Sequence, residues 1–562
     1  MSKNIEIPQG KRTKFYRFFE ILPAFLSYGA IVLMLILSIV SPFWASVYLL
    51  FIIAALLVKA IGVAYRTFGG YRQMNSALKV DWLERLNSLE NPKNSYNALK
   101  KATVSTNKEF EFRNHLENLK YISSEKDFLK PSEVFNAVIV AAYNEPYEVI
   151  RPTIQSLIET KYPKSNMLIF FAYEERGGAG IEETAKKLQQ EFSSQFKAFE
   201  IVKHPKDLPN EVIGKGGNIT FAGRALAKYC QKNKLPFENV VVTTLDCDNK
   251  PHEQYFAATT YEFIVQPNRK HLSYQPISLF LNNIWDAPAP MRVLATGNSF
   301  WNLVVSMRPH RLRNFASHSQ PLDALVEMDF WSTRTIVEDG HQFWRSYFHF
   351  DGNYSVVPIM IPIYQDAVLS DTFPKTLKAQ FIQLRRWMYG ASDVPYAAQH
   401  IFTKERTVPF WDGLAKFYVL VEGHVSMVYQ AVLAAFGGWI PLLLNNSASR
   451  SLVAHQLPTT ISAIQQFATI GLFATIFVSL KMLPPKPARY KKHRTIFMVL
   501  QWFLMPITSI CYGSAAAAYS QTRLALGKYL DKFDVTEKGT VADIDRAKEK
   551  RKKAREAKKS RK

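Results

Sequence analysis

Val241-Val-Thr-Thr-Leu-Asp246-Cys247-Asp248 is the stretch from which this chain is read. Its apolar and β-branched residues predict a strand over Val240–Leu245, buried on both faces, with two carboxylates at i and i+2 directly after it. In open α/β sheets ligands lie beyond the carboxyl ends of the strands, so this aspartate pair stands where chemistry is done. Two such carboxylates offer hard oxygen ligands to a divalent ion, Mg2+ or Mn2+, that also bridges a diphosphate. Spacing alone says little, because Asp543-Ile-Asp545 repeats it with no strand before it.

Working outward, Glu133–Ala142 (EVFNAVIVAA) is a second β-branched run and ends in the turn-like Tyr143-Asn144-Glu145-Pro146. A helical pattern near Val149–Glu159, a strand at Met167–Ala172 and a helix around Ile181–Phe192 follow. This alternation predicts a parallel α/β sheet covered by helices on both faces. Downstream, Val337-Glu338-Asp339-Gly340 places adjacent acids after an apolar stretch, and one of them could take the proton of an acceptor hydroxyl. Acids beside glycine are also ordinary turn formers. Gln383-Leu-Arg385-Arg386-Trp387 offers a guanidinium for a diphosphate and an indole face for a sugar ring, and equally suits a helix lying against a membrane. Gly214-Lys215-Gly216-Gly217-Asn218 could bring backbone and ammonium close to phosphate.

The flanks are of another kind. Ile21–Val40 carries no charge and Phe43–Tyr65 only Lys59, so each is long enough to span a bilayer as one arm of a hairpin. Val425–Leu444 and Pro458–Leu480 form a second such pair, with Glu422 and His424 at its start. Basic residues before Ile21, after Tyr65 and after Leu480 place those ends in the cytosol. Thr495–Thr522 is also charge-free, but spanning would carry the basic C-terminus outside; Pro506 and the small residues Gly513–Ala518 suit an interfacial or re-entrant helical hairpin. The mean hydropathy of −0.11 is therefore an average over apolar hairpins and one large polar domain. The net charge of +23 would suggest nucleic acid in a soluble chain. Yet Arg546–Lys562 alone holds eleven Lys/Arg and two Glu, a solvated run at one end, and much of the rest flanks apolar segments, so no nucleic acid is expected. Three scattered cysteines give neither a disulfide framework nor a zinc site.

Taken in order, A-Y-N-E-P (142–146), G-K-G-G-N (214–218), D-C-D (246–248), V-E-D (337–339), Q-L-R-R-W (383–387) and F-D-V-T-E-K-G (533–539) resemble the membrane-embedded family 2 glycosyltransferases, the group of cellulose, chitin and hyaluronan synthases. The resemblance spans about residues 130–540, and Q-x-x-R-W with upstream D-x-D and E-D is its most specific part. It implies a cytosolic GT-A type, Rossmann-like domain between transmembrane hairpins. The organisation expected is a basic cytosolic N-terminus (1–20), a transmembrane hairpin (21–65), the glycosyltransferase domain (66–406), a second hairpin (407–483), an interfacial or re-entrant hairpin (484–530), a gating-loop-like motif (531–540) and a basic tail (541–562).

Carried over by residue, the resemblance assigns Asp246 to the nucleotide-sugar and the metal, Asp248 to the metal, and Asp339 to the general base. Asn144, Glu145, Glu174, Glu175, Lys215, Gln383 and Arg386 would bind the donor, Trp387 and His318 the acceptor, and Phe533, Val535 and Thr536 would gate the site. Tyr173-Glu174-Glu175 departs from the family's Asp-Asp-Gly by one methylene per carboxylate, which alters the grip on the donor base. The implied reaction is inverting transfer from a nucleotide-diphosphate-sugar, a UDP-sugar by the resemblance, to a growing polysaccharide with coupled secretion across the cell membrane. The low span count favours the rival reading, a single addition to a lipid-linked or membrane acceptor, or a homo-oligomer or accessory membrane subunit that completes the tunnel. A non-catalytic membrane scaffold is the third reading.

Overall fold

The computed structural model describes residues 5–100, 109–125, 127–491 and 493–532. Eight strands form one sheet: β1 (Phe135–Ala142), β2 (Met167–Glu174), β3 (Ala198–His204), β4 (Val240–Asp246), β5 (Lys250–Pro251), β6 (Leu272–Leu279), β7 (Ser319–Pro321) and β8 (Ser355–Tyr364), in the order β3-β2-β1-β4-β7-β6-β8-β5. β3, β2, β1 and β4 pair in parallel, as expected. Successive side chains of β1 enter opposite cores: Val138 and Val140 pack with Ile169 and Phe171, and Ala137 and Ile139 with Leu168 and Phe170. Burial on both faces explains why these strands read as unbroken apolar runs rather than alternating ones.

The expectation of a parallel sheet holds for that half and for the β6–β8 pair, but not for β7 and β5. β7 lies antiparallel to both β4 and β6, β8 runs parallel to β6, and β5 closes the edge antiparallel to β8, so the sheet is mixed. The β6–β8 pair contains Pro276, Pro358 and Pro362, and its register slips between Pro276 and Ile277. Proline cannot donate to a ladder, which hides these segments from a pattern-based reading.

Five helical runs among the described residues are long and apolar enough to cross a membrane: Lys14–Val40, Pro42–Ala77, Phe410–Leu444, Leu452–Met482 and Arg494–Ala525. The last differs from the expected hairpin. It is helical throughout, with a 3-10 segment at Gln501–Leu504 and a π segment at Ser509–Ser514 in place of a reversing turn. Lys59, which interrupts the second apolar run, forms an ion pair with Glu422. The two charges thus neutralise each other between the hairpins, which accounts for Glu422 without a catalytic role. The Pro42–Ala77 helix continues past its apolar part and packs Gly70 against Leu303 of the Ala289–Ser306 helix, joining the hairpin to the sheet domain.

The loops after β1 and β2 meet at a glycine. A Cβ on Gly177 would stand 1.8 Å from the Tyr143 carbonyl oxygen, so only glycine lets the two loops close on each other. Gly177→Ala should destabilise the domain by about 1–3 kcal/mol, the usual range for overpacking, seen as a lowered thermal-unfolding midpoint.

Candidate active site

The site is assembled where β4 ends, where one helix begins, and where a second helix begins beside them. Asp246 is the last residue of β4, Lys215 the first of the Lys215–Lys232 helix, and Glu338 and Asp339 the first turn of the Glu338–His349 helix. Carboxylates in a first turn are favoured by the helix dipole, and an ammonium there is not. Lys215 is held by something stronger: its Nζ lies 2.9 Å from Asp246 Oδ1, 3.4 Å from Asp339 Oδ2 and 3.9 Å from Glu338 Oε1. Burial works against its charge, but Asp246, Asp339 and Glu338 outweigh it and raise its pKa above the ordinary lysine value. Gly216 permits this approach, because a Cβ there would stand 2.4 Å from the Ser332 carbonyl oxygen.

Glu338 is buried, and desolvation together with the charge of Asp339 pushes its pKa up to about 8 against the pull of Lys215 and Arg386. It therefore holds its proton to a higher pH than an ordinary glutamate does, beside Asp339. Among the described residues Asp339 Oδ1 is buried without a hydrogen-bond partner while its Oδ2 faces Lys215. His318 Nδ1 lies 3.9 Å from that Oδ1. The Trp331 indole N–H donates to His318 Nε2 at 3.2 Å, so the proton sits on Nδ1, which donates to the Phe315 carbonyl at 2.9 Å. Burial holds the ring below the ordinary histidine pKa, against the pull of Asp339. With both nitrogens committed, His318 supports the wall of the site, and the acceptor contact expected of it would require one of these bonds to break.

Other residues singled out from the sequence are placed differently. Asn144 is exposed, and Glu145 accepts from the Tyr143 backbone N–H at 2.8 Å, closing its own loop. Glu174 is buried and bonded through Oε2 to Arg176 at 2.7 Å and to His204 at 3.1 Å, while the other ring nitrogen of His204 meets Glu211 at 3.1 Å. Burial opposes the charge on His204, but the two carboxylates overcome it and lift its pKa to about 9. Glu175 accepts from the Lys206 backbone and pairs with Lys203. The Tyr-Glu-Glu segment is thus bound into an internal ionic network, and Arg176, His204 and Glu211 are partners that reading the sequence alone did not find. On the Phe373–Met388 helix, Gln383 accepts from Gln380 at 3.1 Å, Arg386 acts on Glu338 through space, and the Trp387 ring sits 5.9 Å from that of Phe280. Phe533, Val535 and Thr536 lie outside the described residues.

Asp246 and Asp248 supply hard oxygen donors, and among the described residues no group of three or more His, Cys, Asp or Glu could hold a metal ion unaided. Two protein carboxylates completed by substrate phosphates is a common arrangement for Mg2+-type ions, so the residues present fit such an ion in company with a diphosphate.

Residues 241–513 match the family model described as glycosyl transferase family group 2. Over these residues, just under half of the chain, the sequence is similar to the family group 2 glycosyltransferases. The match begins within β4 and takes in D-C-D, V-E-D, Q-L-R-R-W and most of the Arg494–Ala525 helix, so the later apolar helices belong to the same sequence pattern as the transferase site. No curated protein sequence matches the chain. Among solved structures, the mannosyltransferase PcManGT from Pyrobaculum calidifontis, in complex with GDP-Man and Mn2+, is 14% identical, with 76% of this chain and 98% of that one covered and a TM-score of 0.40. Residues 1–349 of S. aureus TarS in complex with UDP-GlcNAc are 10% identical over 71% of this chain and 93% of that one, with a TM-score of 0.32.

The raised pKa of Glu338 has a consequence for the transferase domain's stability. A carboxyl whose folded-state pKa stands at about 8 against an ordinary 4.5 contributes stability that is complete at low pH and is lost as the pH rises through that window. Glu338→Gln should flatten the fall of the unfolding midpoint across that window, measured by thermal unfolding at a series of pH values.

Proposed function

We propose that the protein is a membrane-integrated inverting glycosyltransferase that moves sugar from a nucleotide-diphosphate-sugar, a UDP-sugar by its motif set, to the hydroxyl of a growing glycan, with processive extension and secretion. The observation that carries this reading is the Lys215 ammonium fixed among Asp246, Glu338 and Asp339 at the end of β4. With Glu338 protonated, Lys215 balances only one of the two remaining carboxylates. The site is then net negative, which suits a divalent cation and, with it, a diphosphate.

In this mechanism Asp246 and Asp248 would hold the ion, which when bound supplies charge stabilisation to the departing diphosphate. Lys215 and Arg386 bring further positive charge to the same leaving group. The Oδ1 of Asp339, which has no hydrogen-bond partner among the described residues, takes the acceptor hydroxyl proton as that oxygen attacks the anomeric carbon and the bond from carbon to diphosphate oxygen breaks. One in-line displacement inverts the configuration. Trp387 offers an apolar face to the acceptor sugar, its far side packed on Phe280.

A topology of four spans with an interfacial fifth segment is part of the proposal, with the transferase domain and both termini on the cytosolic side. Support comes from both ends of the Arg494–Ala525 run. Arg494 donates to the Trp285 carbonyl of the sheet domain at 2.8 Å, and Arg17, at the start of the first span, donates to the Ala525 carbonyl at 2.7 Å. Asn445, in the loop of the second hairpin, donates instead to the Ile39 carbonyl, at the opposite end of that first span. The chain leaving this helix forms a β-bridge from Lys532 to Ile213, two residues before Lys215, which brings the approach to F-D-V-T beside the phosphate-binding loop.

Purified protein given a panel of UDP- and GDP-sugars with Mn2+ or Mg2+ should release nucleotide from one donor, and a polymeric product identifies processive synthesis whereas one added sugar identifies a single-addition enzyme. Asp339→Asn should lower turnover by about 10²–10⁴-fold, the range for loss of a general base, while donor affinity by calorimetry stays within a few-fold of wild type.

A further inference from the structure

The first described residues do not lie free beside the membrane. Ile5 is buried against the Glu338–His349 helix and its neighbours, and its carbonyl accepts from the Tyr396 hydroxyl at 2.7 Å. The Ile7 carbonyl accepts from Arg334 at 3.0 Å, and Gln9 donates to the Asn210 carbonyl at 3.3 Å. Between them stands Glu6. One of its carboxylate oxygens forms an ion pair with Arg345, and the other accepts from the Ser332 hydroxyl at 3.0 Å.

Both partners lead to the site. Arg345 is almost wholly buried on the helix whose first turn is Glu338-Asp339; its Nη2 donates to the Met328 carbonyl at 2.8 Å, and Glu6 is the carboxylate that neutralises it. Ser332 carries the carbonyl on which Gly216 packs, and Gly216 follows Lys215. A single carboxylate therefore joins the helix that carries Asp339 to the Ser332 segment, on whose carbonyl the backbone next to Lys215 packs, and the charged atoms of Asp339 and Lys215 stand 3.4 Å apart. The segment that bears it leads within a few residues to Thr13, the N-cap of the first membrane helix.

Building on the proposed role of Asp339 as base, we propose that Glu6 is a positioning residue for the transfer step: by joining Arg345 to Ser332 it fixes the Asp339 helix against the Lys215 loop, so that the base and the diphosphate-binding lysine keep their working separation. Glu6 touches neither donor nor acceptor. Its loss should change the rate of transfer and leave donor binding alone.

The test is steady-state kinetics on the full-length protein with the donor identified by nucleotide release. Glu6→Gln keeps the side-chain shape and removes the charge; kcat should fall by about 10- to 100-fold, the scale of a misplacement near 1 Å, with the donor KM within about twofold of wild type. Glu6→Asp should recover part of that loss, and Glu6→Ala combined with Arg345→Met, which removes both charges, should be no slower than Glu6→Ala alone. Unchanged kcat in Glu6→Gln, or a fall in kcat matched by weakened donor binding, overturns the positioning role. If Glu6→Ala does not fold, Glu6→Gln and Glu6→Asp decide. A wild-type protein that releases nucleotide from no donor overturns the functional reading itself, and the role of Glu6 with it, whereas an active wild type with an equally active Glu6→Gln overturns Glu6 alone.

Discussion

A buried ammonium shared by three carboxylates is the interaction on which the rest of this structure depends. Lys215 reaches Asp246 from a helix start and Asp339 and Glu338 from another helix start, so one ion cluster ties β4 to two helices that are far apart in sequence. Removing one partner of a buried charge cluster typically costs about 3–5 kcal/mol, so Lys215 is required for the fold of the site before any ligand arrives. The same cluster leaves a net negative cradle beyond the strand end. Stability of the empty site and attraction for a cation thus have one origin.

Around that cluster the packing leaves few alternatives. Gly177 and Gly216 allow backbone contacts that any side chain would block, and both bring loops onto the carboxyl ends of the parallel strands. His318, its pKa lowered by burial and its ring oriented by Trp331 and Phe315, walls the site. The membrane helices are tied to the same domain through polar contacts, Arg17 at the Ala525 carbonyl and Arg494 at the Trp285 carbonyl, so the apolar segments and the site share one framework.

How much of this was legible in the sequence varied with the physics. β1, β2 and β4 were readable because burial on both faces makes them continuous apolar runs, and Asp246, Lys215 and Asp339 were readable because each sits at a strand or helix boundary within a recognisable motif. β6 and β8 were not, because prolines inside them break the pattern while their neighbours supply the ladder. The engagement of Glu174 was also hidden: its partner His204 is its register neighbour on β3, a pairing fixed by strand order rather than by any local spacing. Glu6 gave no signal at all, since an acid in a short polar segment looks solvated until Arg345 is seen buried opposite it. The helical hairpin expected over 484–530 followed from Pro506 and the small residues after it; the chain there passes through 3-10 and π segments and stays helical from Arg494 to Ala525.

We propose the Lys215 cluster as the donor diphosphate site. A cryo-EM structure of the full-length protein with UDP and Mn2+ tests it most directly. Diphosphate density should lie within hydrogen-bonding distance of Lys215, with the ion against Asp246 and Asp248 and the Oδ1 of Asp339 facing the open side. Nucleotide bound elsewhere, with Lys215 still closed on Asp246 and no ion between the aspartates, would contradict it.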